Sequence, residues 1–207
     1  MLIRNIATAT VLGALVFLPG CVTYPTRDEY VSRLSATPAL PGKISEQTFT
    51  MLEMNEWVKY ELGGDGNVLD FGNGKTFFAA FEIRPDPSPR RLELRSAFSS
   101  IAQARGHVVF PTLLVLDADF TSLLEEESEM RQSSAPSGST EFSHEINLSA
   151  DAKYVVVHTD PKNVNREVPW HYSLYIASPV NVGTESNSRA KVGVGGPMRI
   201  RVHTEAD

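Results

Sequence analysis

Two segments decide the fold, 77-FFAAFEI-83 and 91-RLELR-95, with 84-RPDPSP-89 between them. In the first, Phe77, Ala79, Phe81 and Ile83 share one side of an extended chain, and Phe78, Ala80 and Glu82 share the other. Successive side chains of a strand point to opposite faces, so this is the period of a strand. Leu92 and Leu94 alternate with Arg91, Glu93 and Arg95, which predicts a strand with one buried and one solvated face. Pro85, Pro87 and Pro89 separate the two. Proline has no N–H to give to a ladder, so this stretch reads as a hairpin-like connection.

Outward from this pair the same period recurs. The segment 108-VVFPTLLVLD-117 is the most apolar run and predicts a strand buried on both faces, with Pro111 marking a break or bulge near its start. Asn67 to Phe71 is a short apolar run followed by Asn73-Gly74, a tight-turn dipeptide. Phe142, His144, Ile146 and Leu148 alternate with Ser143, Glu145 and Asn147, and Tyr154 to Thr159 is a β-branched strand. Tyr172, Leu174 and Ile176 form a further set, and Met198, Ile200 and Val202 alternate with Arg199, Arg201 and His203. Glu125 to Ser139, acidic and rich in Ser, Pro and Gly, reads as a long surface loop, and Gly183 to Gly196 as a glycine-rich polar connection. About eight short strands without a long amphipathic helix predict an all-β fold, an antiparallel β-sandwich of which a jelly-roll is one form.

The N-terminal end has a different character. Arg4 is followed by the apolar run Ile6 to Leu18 and by Leu18-Pro19-Gly20-Cys21, which holds the only cysteine of the chain. A positive start, a short apolar stretch and a small residue before a cut are the layout of a secretory signal, and the apolar stretch is shorter than the roughly 20 residues of a spanning helix. The last four residues resemble a bacterial lipobox, where cleavage precedes the cysteine and a lipid is attached to its sulfur. An ordinary signal peptide or a single anchor helix with an incidental cysteine is the alternative. In such lipoproteins an Asp after the cysteine marks retention in the inner membrane; here Val22 and Thr23 follow Cys21, so the resemblance implies the periplasmic face of the outer membrane. The expected organisation is a signal peptide over 1–20, a lipid-anchored linker over 21–45 and a β-sandwich domain over 46–207. The linker is punctuated by Pro25, Pro38 and Pro41, with a turn or two of helix within Asp28 to Leu34.

Beyond Cys21 no thiol remains to form a disulfide, so an apolar core must hold the domain together. A net charge of -6 without a basic block argues against nucleic acid and against an acidic-lipid surface as partners.

The run Val108-Val109-Phe110-Pro111-Thr112-Leu113-Leu114-Val115-Leu116-Asp117, a variable polar loop, then Ile146-Asn147-Leu148 and Tyr154-Val155-Val156-Val157-His158-Thr159 resemble the maltose operon periplasmic protein family in order and spacing. The likeness spans Leu69 to the C-terminus; a lipobox and the lack of a long C-terminal extension set this chain apart. The resemblance implies an envelope protein linked to carbohydrate uptake and supplies no catalytic residues.

Motifs for catalysis are sparse. There is no G-x-S-x-G, H-E-x-x-H or P-loop lysine, and no cofactor fingerprint. His144 and His158 fall on faces with apolar neighbours, which suits hydrogen-bonded core or edge histidines better than metal ligands. Asp117 and Asp119 could begin a calcium loop, but Ser122 and Ser128 stand where an EF-hand needs Gly and Glu, and an Asp-capped turn is the better reading. The clusters Gly63-Gly64-Asp65-Gly66 and Gly193-Val194-Gly195-Gly196 open no helix and read as turns rather than phosphate cradles. The aromatic cluster Trp170, His171, Tyr172 and Tyr175 is the strongest binding signal, because flat rings stack on the C–H faces of sugars. Trp170, Tyr172 and Tyr175 are therefore the candidate ligand-binding residues, with Trp57 and Tyr60 in a similar role; filling the core is the alternative for all of them. The expected function is a non-enzymatic accessory role in carbohydrate uptake, in contact with a porin or transport component. A carbohydrate-binding module acting directly on oligosaccharide comes second, and an envelope hydrolase last.

Overall fold

The computed structural model describes residues 25–86, 88–98, 106–134, 140–176 and 182–204. Helix α1 (Arg27–Ala36) comes first, followed by β1 (Thr50–Leu52), β2 (Val58–Leu62), β3 (Val68–Asp70), β4 (Lys75–Ile83) and β5 (Arg90–Ala97). Then come β6 (His107–Val108), β7 (Thr112–Leu116), β8 (Ser122–Glu127), β9 (Arg131–Ser134) and β10 (Thr140–Leu148). The chain ends with β11 (Tyr154–His158), β12 (Glu167–Ile176), β13 (Val182–Val192) and β14 (Gly196–Thr204). One sheet has the order β1-β4-β11-β7-β8, with β3 also on β4; a second has the order β2-β14-β5-β10-β9; a third is β12-β13-β6. The fold is an all-β sandwich. Two of its pairings, β1 with β4 and β13 with β6, are parallel.

The main core lies between the first two sheets. Phe77, Phe81 and Ile83 of β4 and Val155 and Val157 of β11 meet Leu92, Leu94, Ile200 and Val202 from the second sheet. The opposite face of the first sheet is covered as well. Phe78, Ala80, Leu116 and Val156 pack beneath Ile44, Phe49, Phe71 and Phe120. The run expected to be buried on both faces does divide this way, with Leu113 and Val115 in the main core and Leu116 in the outer cluster.

Four local expectations change. Residues 84–89 join β4 to β5 in different sheets, so the proline-rich stretch is an arch across the sandwich rather than a hairpin. β4 is flanked instead by β11, with Phe81 opposite Val155. The acidic stretch read as a loop holds half of β8 and all of β9, which are the edge strands of their sheets; an edge tolerates a polar run because half of it meets water. The glycine-rich connection is mostly β13, held along its length by β12.

The fourth change concerns the stretch read as linker. α1 is a ten-residue helix opened by a capping box, in which Thr26 and Glu29 each accept from the other's backbone N–H. Its Tyr30 is fully buried in the main core. The Tyr30 hydroxyl donates to Glu61 at 2.8 Å, and its ring meets His107 edge-on at 5.6 Å. Gly195 permits this approach, since a Cβ there would lie 2.6 Å from the Tyr30 ring. Helix α1 is therefore part of the packed domain. Tyr30→Ala should destabilise the domain by about 3 kcal/mol, the usual cost of an aromatic-sized cavity. Urea unfolding of the variant with an unchanged midpoint would show that α1 is not part of the folded unit.

Candidate functional site

Strands β14, β5 and β10 lie side by side, and their outward positions carry charge. Arg95 is opposite Arg199 and Glu93 is opposite Arg201 across the β5–β14 pair. Like charges in register repel unless carboxylates intervene. Here they do. Glu93 accepts from Arg95 at 2.6 Å and from Arg201 at 2.8 Å, while Glu141 of β10 accepts from Arg199 at 2.5 Å and from Arg95 at 3.4 Å. Burial pushes the Glu93 carboxyl upward, but the hydrogen bonds from Arg95 and Arg201 outweigh it and hold the group below the usual carboxylate range.

Trp57 lies across this network. Its ring centroid is 4.5 Å from the Arg199 guanidinium carbon, 4.7 Å from that of Arg201 and 5.0 Å from that of Arg95. The chain reaches this position through Asn55, whose φ of 64° turns the backbone and whose N–H donates to Val202 at 2.7 Å. An indole held by three guanidiniums, with two carboxylates between them, combines a flat apolar surface with charged donors and acceptors. Such a set can stack on a sugar ring and hydrogen-bond its hydroxyls.

The sequence candidates fall in several places. Trp170, Tyr172 and Tyr175 lie on β12, paired with Ser188, Ser186 and Gly183 of β13. Their side chains are outside the described residues, as is Cys21. Trp57 joins the arginine network just described. Tyr60 belongs to the core, 5.1 Å from Phe81 with its hydroxyl 3.6 Å from the Met198 sulfur, and burial pushes its hydroxyl far above the usual tyrosine range.

Asp117 caps a turn, accepting from Asp119 N–H at 2.9 Å and Thr121 N–H at 2.8 Å. It borders an open cleft of about 620 Å³ that also holds Asp86, Asp119 and Asp151. Arg90, on the floor of that cleft, is occupied by the carbonyls of Ser149, Ala150 and Ala152 at 2.9–3.1 Å. Among the described residues no three His, Cys, Asp or Glu side chains are placed to hold a metal ion.

Three of the described histidines are tied into the fold. His107 hydrogen-bonds the Gly195 carbonyl oxygen at 2.9 Å, and His144 meets Glu126 at 2.9 Å, linking the two main sheets. His158 stacks on Phe71 with centroids 4.1 Å apart. Neither of its ring nitrogens meets hydrogen-bond geometry with a described residue, although the Thr159 backbone offsets part of its burial. Burial holds both His107 and His158 below the usual histidine range.

Sequence reasoning passed over Glu93, Arg95, Glu141, Arg199 and Arg201 because alternation marks them only as outward. Which strands are neighbours, and hence which charges meet, is not written in any one segment. Among the described residues no helix is long and apolar enough to cross a membrane. No family model, curated protein or solved structure matches the chain.

The buried histidines set a pH dependence. With folded-state values below the unfolded value of about 6.5, they take up protons on unfolding, so stability should fall as pH drops below about 6.5 and level off beneath their folded values. Chemical unfolding from pH 8 to 5 reads this directly. His158→Gln should flatten the slope, and an unchanged slope would remove His158 as a cause.

Proposed function

We propose that the chain is a lipid-anchored protein of the periplasmic face of the outer membrane that binds oligosaccharide as a non-enzymatic accessory of carbohydrate uptake. The observation that carries the binding role is Trp57 set on Arg95, Arg199 and Arg201 with Glu93 and Glu141 between them. Hydroxyls arrayed on a ring need donors and acceptors at fixed spacing, and a strand ladder supplies them at fixed spacing. The resemblance of residues 108–117, 146–148 and 154–159 to the maltose operon periplasmic protein family implies a link to carbohydrate uptake, with a porin or transport component as partner. The aromatic residues Trp170, Tyr172 and Tyr175 are a second contact on the β12–β13 hairpin. The address rests on Leu18-Pro19-Gly20-Cys21.

Titration with maltodextrins should change tryptophan fluorescence, with Trp170→Phe retained as a background that isolates Trp57. Trp57→Ala should weaken binding at least tenfold, about 1.4 kcal/mol. A flat response across a panel of glycans would end the oligosaccharide reading. For the address, Cys21→Ala should lose acylation and membrane association while its folded circular dichroism spectrum persists; full retention in the membrane fraction would overturn it.

A further inference from the structure

Helix α1 belongs to the packed domain and so bears on how that domain is held. With the Thr26–Glu29 capping box fixing the first turn of α1, only five peptide steps separate Cys21 from Thr26. Five residues span at most about 18 Å when fully extended. A lipid on Cys21 would sit in the membrane surface, so the N-terminal end of α1 cannot move far from the headgroups. The domain is not free to tumble at the end of a long tether.

The surface at that end is built from charged side chains. An open cleft of about 440 Å³ is lined by Thr26, Arg27, Arg189 and Lys191 together with Asp28 and Glu167. Arg27, half-buried, pairs with Asp28 at 2.9 Å and also donates to the Asn165 side-chain oxygen, while Arg189 pairs with Glu167 at 3.1 Å on the exposed surface. Lys191 is exposed and has no ion partner among the described residues. Three cations against two carboxylates leave the cleft with a positive charge to place. The opposite end of the sandwich has the reverse sign. β14 runs from Gly196, beside Val109 and His107, to Thr204, which pairs with Arg90 at the acidic cleft of Asp86, Asp117, Asp119 and Asp151. Nine extended residues put about 27 Å between these ends.

We infer that the cleft of Arg27, Arg189 and Lys191 is a docking surface for the phosphates of anionic phospholipid headgroups, and that it fixes the domain with its acidic end pointing away from the membrane. This rests on the reading of Cys21 as the lipid attachment site. The short tether supplies proximity, and the opposed charge of the two ends supplies direction, because an anionic surface attracts one and repels the other.

Hydrogen–deuterium exchange on the acylated protein in vesicles tests it without added labels. Amides of residues 26–30 and 189–192 should exchange at least tenfold more slowly on vesicles containing about one-third phosphatidylglycerol than on phosphatidylcholine alone. Residues 117–121 and 149–153 should not change. Lys191→Glu should weaken the protection, and the triple variant Arg27→Glu, Arg189→Glu, Lys191→Glu should abolish it while the protein stays on the vesicle. Equal exchange on the two vesicle types, or protection centred on the acidic loops, would overturn the proposal. The mass of the mature protein reports acylation separately. Should Cys21 carry no lipid, the parent reading fails, and coupling its thiol to a maleimide lipid lets the same exchange pattern decide whether the cleft binds headgroups.

Discussion

Burial of the first sheet on both faces is the constraint from which most of the structure follows. In β11, Val155 and Val157 enter the main core while Val156 enters the outer cluster, and none of the three is exposed. A strand apolar on both sides must be covered twice. The second sheet supplies one cover. The other is assembled from pieces: Ile44 and Phe49 from the segment before β1, Phe71 from the turn after β3 and Phe120 from the turn after β7. That need accounts for Phe120, which holds a left-handed φ of 60° while its ring stacks on Tyr154 at 4.5 Å. The Asp117 carboxylate, by accepting two N–H groups of the same turn, holds the backbone where that ring can reach.

The outer face of the second sheet solves a different problem. It meets water, yet Glu93 is almost fully covered, because arginines on both sides and Trp57 above screen it. Removing a carboxylate from water is unfavourable unless its acceptor positions are filled, and here two guanidiniums fill them. The network and the indole are mutually dependent. Without Trp57 the arginines would be free to solvate, and without the carboxylates they would repel one another beneath the ring.

How much of this was legible depends on range. Alternation at Phe77 to Ile83 and at Leu92 to Arg95 identified two core strands and the faces they bury, because a period of two is a property of neighbours in sequence. The arch at 84–89 was misread because prolines reveal where a ladder stops and not where the chain goes next. β13 was missed because Gly183, Ser186, Asn187 and Ser188 have weak strand preference, and only the facing β12 makes them extended. α1 was underrated because a single buried side chain, Tyr30, ties it to the core, too little for a visible helical stripe. At the site, Trp57 was noted as an aromatic, but the arginines beneath it come from β5 and β14, about a hundred residues apart, and only the register joins them.

The pairing of β14 governs when the protein can exist at all. Strand β14 lies in the interior of its sheet, between β2 and β5, so segments about a hundred residues or more apart in sequence lie side by side. Until residues 195–204 arrive, β2 has no ladder, Leu92 and Leu94 lack Ile200 and Val202 beside them, and Gly195, which admits Tyr30, is absent. Closing loops of this length is slow, and strands left waiting are open to wrong partners. The second sheet is thus completed from its middle, by β14. A chain emerging N-terminus first has to leave this sheet unfinished until β14 appears, which places a premium on whatever keeps the earlier strands extended in the meantime.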